Sequence, residues 1–361
     1  MPRQYNFAAL ARMNPDAAIC RATIRQQASD FQVEERLPFE PDGEGGHVFL
    51  NIEKTDINTD WLAQQLAKFA QVPAVDIGYA GLKDRHAVTR QWFSIKLEGR
   101  DEPDWSLFES DQIKILQRQR HNKKLKRGVL IGNQFHLVLT EIEGDTSVWQ
   151  RNLEKIQQHG VPNYFAEQRF GHNMNNLYHV DKWFTGGRAP RKRNQRSLYI
   201  SAARSWLFNL VLSERVAAHN WNQAISGDVM QLAGTRASFF VAELVDKILQ
   251  ERLASHDVHP TGPLYGKGNT IAMTECLALE QEIASDWRDW LEGMEKVGLK
   301  QERRALRLIP AQFNWQFIDA DKLELDFFLP AGSYATAVLR ELAQIVDACK
   351  GTPSMMMLSE S

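Results

Sequence analysis

The sequence predicts a mixed α/β protein in which strand-rich segments flank a helix-rich block. Apolar and polar residues alternate in His47–Ile52, Gln91–Leu97 and Phe135–Ile142, as expected for strands with one buried face. Beyond about residue 150, helical periodicity replaces this alternation, most clearly in Tyr199–Val216. The alternation returns at Leu323–Leu329, and a chain of 361 residues is long enough for two domains.

The composition is typical of a soluble intracellular protein. The apolar fraction is 43% and there are ten Trp residues, which is sufficient for buried cores, and no apolar run approaches the length of a membrane span. The N-terminus lacks the compact apolar core of a signal peptide. The three Cys residues are far apart without C-x-x-C spacing, which argues against a zinc site and a disulfide framework. We therefore expect a cytoplasmic protein that has no membrane partner.

The first half of the chain predicts a strand and a helix in addition to the alternating segments. Ile24–Val33 has the composition of a strand. Asn58–Ala70 places Leu62, Leu66 and Phe69 on one face and is predicted to be a helix capped by its first residues.

An acidic, glycine-containing turn is predicted at Pro41–Gly46, with the sequence PDGEGG. Asp42, Glu44 and His47 are potential metal ligands, but no partner ligands stand at metal-binding spacing. We therefore expect no metal site here.

The remaining segments complete the predicted organisation. Residues 1–20 are weakly patterned and predict a partly ordered lead-in. Glu275–Lys300 has helical periodicity, whereas Ser226–Phe240 and His259–Thr270 contain glycine and are more typical of loops. Ser333–Val346 is predicted to be a helix with its first residue as a possible cap.

One polar stretch stands out as a candidate site. Gly78–Ile95 reads GYAGLKDRHAVTRQWFSI, with two early glycines that relax the backbone between two strand-like runs. Asp84 stands there among Lys83, Arg85 and His86. Such a carboxylate can serve as a nucleophile or a base, and neighbouring cations would favour its ionised form. The alternative is a polar turn in which Asp84 caps its own backbone.

Two basic runs are candidates for contacts with nucleic-acid phosphates. Gln117–Gly128 holds six Lys or Arg residues in twelve, and Arg188–Arg196 is a second cluster. Because the formal net charge is only −2, a nucleic-acid surface would have to arise from such local segregation of charge. The alternative is a solvated face or a mobile loop. The phosphate-binding candidates are Arg120, Lys123, Lys124, Lys126, Arg127, Arg191, Lys192 and Arg193.

Five motifs occur in one order along nearly the whole chain. GLKDRHAVTRQW resembles the signature motif of the TruD family of tRNA pseudouridine synthases, G-x-K-D-(K/R)-x-A-x-T-x-Q. The other segments that resemble motifs of this family are SDFQVEERLPFEPDGEGGH (Ser29–His47), RGVLIGNQFHLVLT (Arg127–Thr140), GVPNYFAEQRFG (Gly160–Gly171) and LPAGSYATAVLRE (Leu329–Glu341).

The resemblance implies an architecture and a reaction. It implies a mixed, largely antiparallel pseudouridine synthase domain, at about residues 1–158 and 309–361, interrupted by a helix-rich insertion at about 159–308. It implies the conversion of uridine 13 of tRNA to pseudouridine without a cofactor or a metal. We also expect a monomer. The alternatives from other classes are an RNA-binding protein without catalysis and an RNA N-glycosylase.

The resemblance also implies roles for individual residues. Asp84 would attack the ribose anomeric carbon or the uracil ring, or would help to deprotonate the sugar. Lys83 or Arg85 would stabilise its charge, and Lys83 is a further candidate for a phosphate contact. Glu35 matches an acidic motif position and is expected to pair with a basic group.

The base-binding candidates come from three motifs. Asn133 would bond the uracil edge, and Phe31 and Phe135 would line or stack on the base. Asn133 and Phe135 are two residues apart, so in an extended chain their side chains point to the same side. The alternative is an ordinary strand start in which Phe135 belongs to the core. Tyr334 would form a further aromatic wall, at a position where relatives often have Phe.

Overall fold

The computed structural model describes residues 3–235, 238–240 and 245–350, and these form two compact units. The sheet unit consists of Asp16–Leu153, Pro310–Gly332 and the described residues from Ala343 onwards. The helical unit consists of the described residues up to Pro15, Glu154–Ile309 and Ser333–Leu342. The insertion limits of about 159–308 remain a prediction. The units differ from those limits chiefly because the N-terminal segment and Ser333–Leu342 belong to the helical unit.

The described residues form helices and strands throughout both units. The helices are α1 Thr59–Phe69, α2 Thr146–His159, α3 Asn175–Phe184, α4 Arg193–Ala217, α5 Lys247–Ala254, α6 Thr274–Ser285, α7 Arg288–Lys296 and α8 Ala335–Arg340. The strands are β1 Arg21–Ile24, β2 Phe31–Arg36, β3 His47–Thr55, β4 Ile77–Tyr79, β5 Val88–Lys96, β6 Ile113–His121, β7 Gly132–Glu143, β8 Val161–Pro162, β9 Val229–Leu232, β10 Ser238–Phe240, β11 Val258–Leu264, β12 Glu302–Ala305, β13 Arg307–Leu308, β14 Ala311–Asp319, β15 Lys322–Pro330 and β16 Gln344–Asp347.

The sheet unit is built on one mixed sheet, which in the described residues has ten strands. Its main path runs β14-β15-β7-β2-β5-β3-β6; β4 pairs with β5, and β1 pairs with both β7 and β16. The pairs β2–β5 and β1–β16 are parallel, and the other pairs of this sheet are antiparallel. The predicted mixed, largely antiparallel α/β fold is therefore confirmed.

The alternating sequence pattern explains the buried face of this sheet. In β15, Leu323, Leu325, Phe327 and Leu329 are fully buried while the residues between them are partly exposed. Each turns toward the core because successive side chains of a strand point to opposite faces. Leu62 and Leu66 of helix α1 lie in a core cluster together with buried residues of β3 and β5. The predicted strands at β3, β5, β7 and β15 and the helix α1 are present in the structure.

Two predicted elements are wrong in extent. The strand expected over Ile24–Val33 is divided into β1 and β2, with a 3-10 turn at Ala28–Asp30 between them. The helix expected over Ser333–Val346 ends at Arg340, and β16 follows it. Strand β16 forms because it pairs in parallel with β1 near the other end of the chain. The local sequence does not encode that partner.

The helical unit contains more strand than its sequence predicts. Ser226–Phe240 and His259–Thr270, expected to be loops, contain β9, β10 and most of β11, and these form a sheet in the order β10-β9-β11-β12. Pro260, Gly262 and Pro263 lie within β11 and mask its strand pattern. The expected helix Glu275–Lys300 is two helices, α6 and α7.

From Arg3 onwards, the N-terminal lead-in packs against the helical unit. Tyr5 and Leu10 are buried in the core of the helical unit. The Arg3 guanidinium lies 2.6 Å from the Asp181 carboxylate and 2.7 Å from that of Asp289. Ion pairs and aromatic packing therefore fix a segment whose sequence shows little periodicity.

No helix in the described part of the chain is long and apolar enough to cross a membrane.

Candidate active site

The loop between β4 and β5 carries Asp84 and is held from two sides. Gln91 Nε2 donates a hydrogen bond to the carbonyl oxygen of Gly81 at 2.6 Å. The backbone N–H of Lys83 donates to Thr59 Oγ1, in the first turn of α1, at 3.1 Å. Of the two early glycines, Gly78 leaves no room for a side chain. A Cβ at this position would lie only 2.3 Å from the carbonyl oxygen of Leu125. These contacts fix the loop against β5 and α1.

Asp84 is accessible and is bound by an arginine. Its side chain is 45% exposed, and its Oδ2 accepts a bond from Arg25 Nη2 at 3.0 Å. In the region that the structure describes, its carboxylate accepts no bond from a backbone N–H of its own turn. The alternative of a self-capping turn residue is therefore not supported.

Arg25 is a site residue that the sequence analysis missed. Its Nη1 donates to Asp347 Oδ2 at 2.8 Å, and its guanidinium carbon lies 3.9 Å from the centroid of the Phe31 ring. The Asp347 carboxylate and the aromatic face thus position the guanidinium beside Asp84. Arg25 also has a left-handed backbone conformation, with φ of 59°, which is uncommon for a residue other than glycine.

Lys83 does not point to solvent but joins two strands beneath the loop. Its Nζ lies 2.8 Å from Glu35 Oε2 and 2.9 Å from Asn133 Oδ1. The side chains of Lys83 and Glu35 are 6% and 0% exposed. Glu35 on β2 is the register partner of Asn133 on β7, so the sheet brings both to one ammonium group. Because Lys83 occupies Asn133 Oδ1, the two N–H groups of the Asn133 amide remain to donate.

Lys54 adds a further cation near this group, and the sequence analysis did not select it. Its fully buried Nζ donates to the carbonyl oxygen of Ile57 at 2.6 Å. Burial, and then the charge of Lys83, lowers the pKa of Lys54 to about 8, while the charge of Asp84 acts in the opposite direction. The buried strand pattern of β3 was the available signal, because a Lys at an inward position requires a specific partner.

The aromatic candidates of the sheet unit are core residues in this structure. Phe31 and Phe135 are 2% and 7% exposed, and their ring centroids are 6.3 Å apart with edge-to-face geometry. Phe135 stacks on Phe327 at 5.4 Å. The structure therefore shows the alternative that the sequence left open, in which Phe135 is a core residue. Stacking of a base on the face of Phe31 that Arg25 covers would require that guanidinium to move.

Tyr334 belongs to the helical unit. It is the N-cap residue of α8, and its ring centroid lies 6.3 Å from that of Phe165. The guanidinium carbon of Arg304 lies 4.2 Å from the centroid of Phe165. The role of Tyr334 as an aromatic wall of the base-binding pocket stays a prediction. The other substrate-binding candidates belong to the sheet unit.

The basic run Gln117–Gly128 is partly a strand, because β6 extends to His121. Four of its cations contact the fold, among them Arg118, whose guanidinium lies 3.7 Å from the Glu102 carboxylate. Arg120 pairs with Glu102, Lys124 donates to the carbonyl oxygen of Val75, and Arg127 lies 3.7 Å from the centroid of the Tyr79 ring. Burial and a bond to Asp60 raise the pKa of Tyr79 to about 12. Lys123 and Lys126 are exposed and, within the described chain, make no ion pair.

The second basic run leads into α4. Arg191, Lys192 and Arg193 are exposed, and Lys192 is the N-cap residue of the helix. The first turn of α4 contains no acidic residue. Cations at this end oppose the helix dipole. Helix stability therefore does not explain the cluster.

Among the described residues, Asp42, Glu44 and His47 do not form a group with metal-like spacing. Asp42 Oδ2 lies 2.8 Å from His121 Nδ1 and accepts bonds from Asn122, which lower the pKa of Asp42. A different set with metal-like spacing, His136, Glu324 and Asp326, lies on β7 and β15, where the histidine is within 3.4 Å of both carboxylates. The expectation of a protein without metal stays a prediction.

Both the fold and the sequence resemble those of known proteins. A crystal structure assigned to TruD from Methanosarcina mazei has the same fold, with a TM-score of 0.72 and 21% identity over 94% of this chain and 97% of the other. Residues 15–189 and 189–342 match the family model of tRNA pseudouridine synthase D (TruD).

Two relatives named tRNA pseudouridine synthase D extend this match. That of Nitrosococcus oceani is 49% identical over 94% of this chain and 95% of its own length, and that of Aeromonas hydrophila is 47% identical over 93% and 94%. The chain therefore belongs to the TruD family.

Proposed function

We propose that this protein isomerises uridine 13 of tRNA to pseudouridine, with Asp84 as the catalytic carboxylate. The observation that carries the proposal is the position of Asp84 in a family motif, accessible on a fixed loop and bound by Arg25. Membership of the TruD family supports the same reaction class. The tRNA substrate also supports a cytoplasmic location.

The reaction requires a carboxylate and a pocket that retains the loosened base. The N-glycosidic bond breaks, the uracil turns, and the ribose is joined to carbon 5. A proton leaves carbon 5 and nitrogen 1 gains one, so no electrons enter or leave. Asp84 would act on the anomeric carbon, on the uracil ring or on a proton of the sugar. The free N–H groups of Asn133 would donate to a carbonyl oxygen of the uracil, because Lys83 fixes the amide orientation.

A uridine inside folded RNA is out of reach, so the nucleotide must be flipped out of its stack. The affinity that offsets this cost would come mainly from phosphate contacts. Lys123 and Lys126 are the candidates in the sheet unit. In the helical unit, Arg191–Arg193 at the start of α4 would combine their charge with unpaired helix N–H groups, which attract phosphate.

The test is nucleoside analysis of unmodified tRNA after incubation with the purified protein and with Asp84→Asn. We expect pseudouridine at position 13 with the native protein and none with the variant. Unchanged RNA that is still bound would favour the non-catalytic RNA-binding protein. Abasic RNA together with free uracil would favour the N-glycosylase.

A further inference from the structure

A cavity of about 440 Å³ opens in the sheet unit beside the Asp84 loop. Its walls are Asp56, Ile57, Asn58, Trp61, Arg85 and Gln112. Arg85 follows Asp84 directly in the chain, so one wall of the cavity belongs to the loop that carries the candidate catalytic carboxylate. Its volume lies within the range of roughly 300–1,000 Å³ found for ligand sites.

Trp61 contributes an exposed aromatic face to this cavity. Its side chain is 48% exposed, whereas its neighbour Leu62 is fully buried. Trp61 is not part of the core cluster that Leu62 and Leu66 form with the sheet. A solvent-exposed indole at the rim of a cavity provides a flat surface on which any of the nucleobases can stack.

Polar groups of the cavity complement the other parts of a nucleotide. Arg85 is exposed, and the described residues offer its guanidinium no ion-pair partner, so it is available to a phosphate. Asn58 occupies the N-cap position of α1, yet its side chain caps no helix N–H. That amide, like that of Gln112, can donate to and accept from the edge of a base. The carboxylate of Asp56 lies 3.4 Å from His86 Nδ1.

Hydrogen bonds join the cavity wall to the catalytic loop. Thr59 Oγ1 accepts from the backbone of Lys83 and donates to Gln91 Oε1, each at 3.1 Å. Gln91 in turn binds the carbonyl oxygen of Gly81. The start of α1 and the Asp84 loop are thus one hydrogen-bonded assembly. A nucleotide held on Trp61 would therefore have a fixed position relative to Asp84.

We propose that this cavity binds the nucleotide adjacent in the RNA chain to the reacting uridine, with its base stacked on Trp61 and its phosphate on Arg85. The site rests on the proposed function and adds to it a second nucleotide subsite. Holding this neighbour outside the RNA stack would favour the flipped conformation of the uridine itself.

The test combines protein variants with tRNAs that carry one abasic nucleotide immediately 5′ or 3′ of the target uridine. Trp61→Ala is expected to weaken binding of intact tRNA about 5- to 100-fold, and Trp61→Phe far less. For one of the two abasic tRNAs, native protein should show a similar loss and Trp61→Ala no further loss. Leu107→Ala, at another exposed apolar side chain of the sheet unit, is the control and should leave binding unchanged.

The salt dependence separates the base contact from the phosphate contact. Arg85→Ala should reduce the slope of log affinity against log salt by roughly 0.7–0.9, whereas Trp61→Ala should leave this slope unchanged. The inference is overturned if native protein forms pseudouridine but Trp61→Ala binds both abasic tRNAs and intact tRNA as native protein does. Absence of pseudouridine with native protein would instead count against the proposed function.

Discussion

The sharpest stability prediction concerns the buried ion pair between Lys83 and Glu35. Lys83→Met keeps the length of the side chain but leaves Glu35 without its ion-pair partner, and the Glu35 side chain is fully buried. A buried charge without its partner costs about 3–5 kcal/mol. Since domains are stable by only about 5–15 kcal/mol, this single change should remove a large part of the stability of the sheet unit.

The assay is equilibrium unfolding in urea, followed by tryptophan fluorescence. Trp92 reports on this site because its backbone N–H donates to Glu35 Oε1 at 3.3 Å. The expected loss should lower the unfolding midpoint by roughly 1–2 M. Adding Glu35→Gln to Lys83→Met should restore most of the stability, since no unpaired charge then remains.

The matched control is a pair on the same strand that is open to water. Arg36 and Glu34 are 3.3 Å apart, with side chains that are 51% and 30% exposed. Arg36→Ala should cost no more than about 1 kcal/mol. The reasoning fails if Lys83→Met costs as little as this control, or if the double variant is no more stable than Lys83→Met alone.

Three further results are expected. Asp84→Asn should lower single-turnover pseudouridine formation by several powers of ten, at about 1.4 kcal/mol per tenfold, while tRNA titration shows little change; near-native turnover would remove Asp84 from the mechanism. Lys123→Ala with Lys126→Ala should reduce the salt slope of tRNA binding by roughly 0.7–0.9 per lost contact, and an unchanged slope would exclude this run from the interface. Burial, and then the charge of Arg307, lowers the pKa of His259 from 6.5 to about 4. Protonation of His259 therefore favours the unfolded state. In acid titrations, the free energy of unfolding should keep the whole contribution of neutral His259 above pH 6.5 and fall by about 2–3 kcal/mol between pH 6.5 and pH 4. His259→Asn should show a smaller loss across that range.

The parts of this protein that could be predicted from its sequence are those set by local pattern. Alternation in β7 and β15 defines a buried face, and the apolar stripe of α1 defines its packing side. Asp84 was found because its neighbours in the chain form a motif. In each case the relevant physical signal lies within a dozen or so residues.

The parts that were missed depend on distant partners. Arg25 contacts Asp347, which is 322 residues away, and neither residue carries a local sign of that pairing. Lys83 was expected to stabilise the charge of Asp84 or to contact phosphate, but its ammonium group lies against Glu35 and Asn133 on two other strands. Tertiary contacts of this kind override the exposure that a polar turn predicts.

The parallel pairing of β1 with β16 has a consequence for how the chain folds during its synthesis. Ribosomes add about 5–20 residues per second, so contacts across the 322 residues between Arg25 and Asp347 become possible only on the order of 15–60 s after Arg25 is made. Throughout that interval β1 has an open edge, and open edges invite pairing with other chains. Nascent chains halted before β16 should therefore be the species that most need a chaperone.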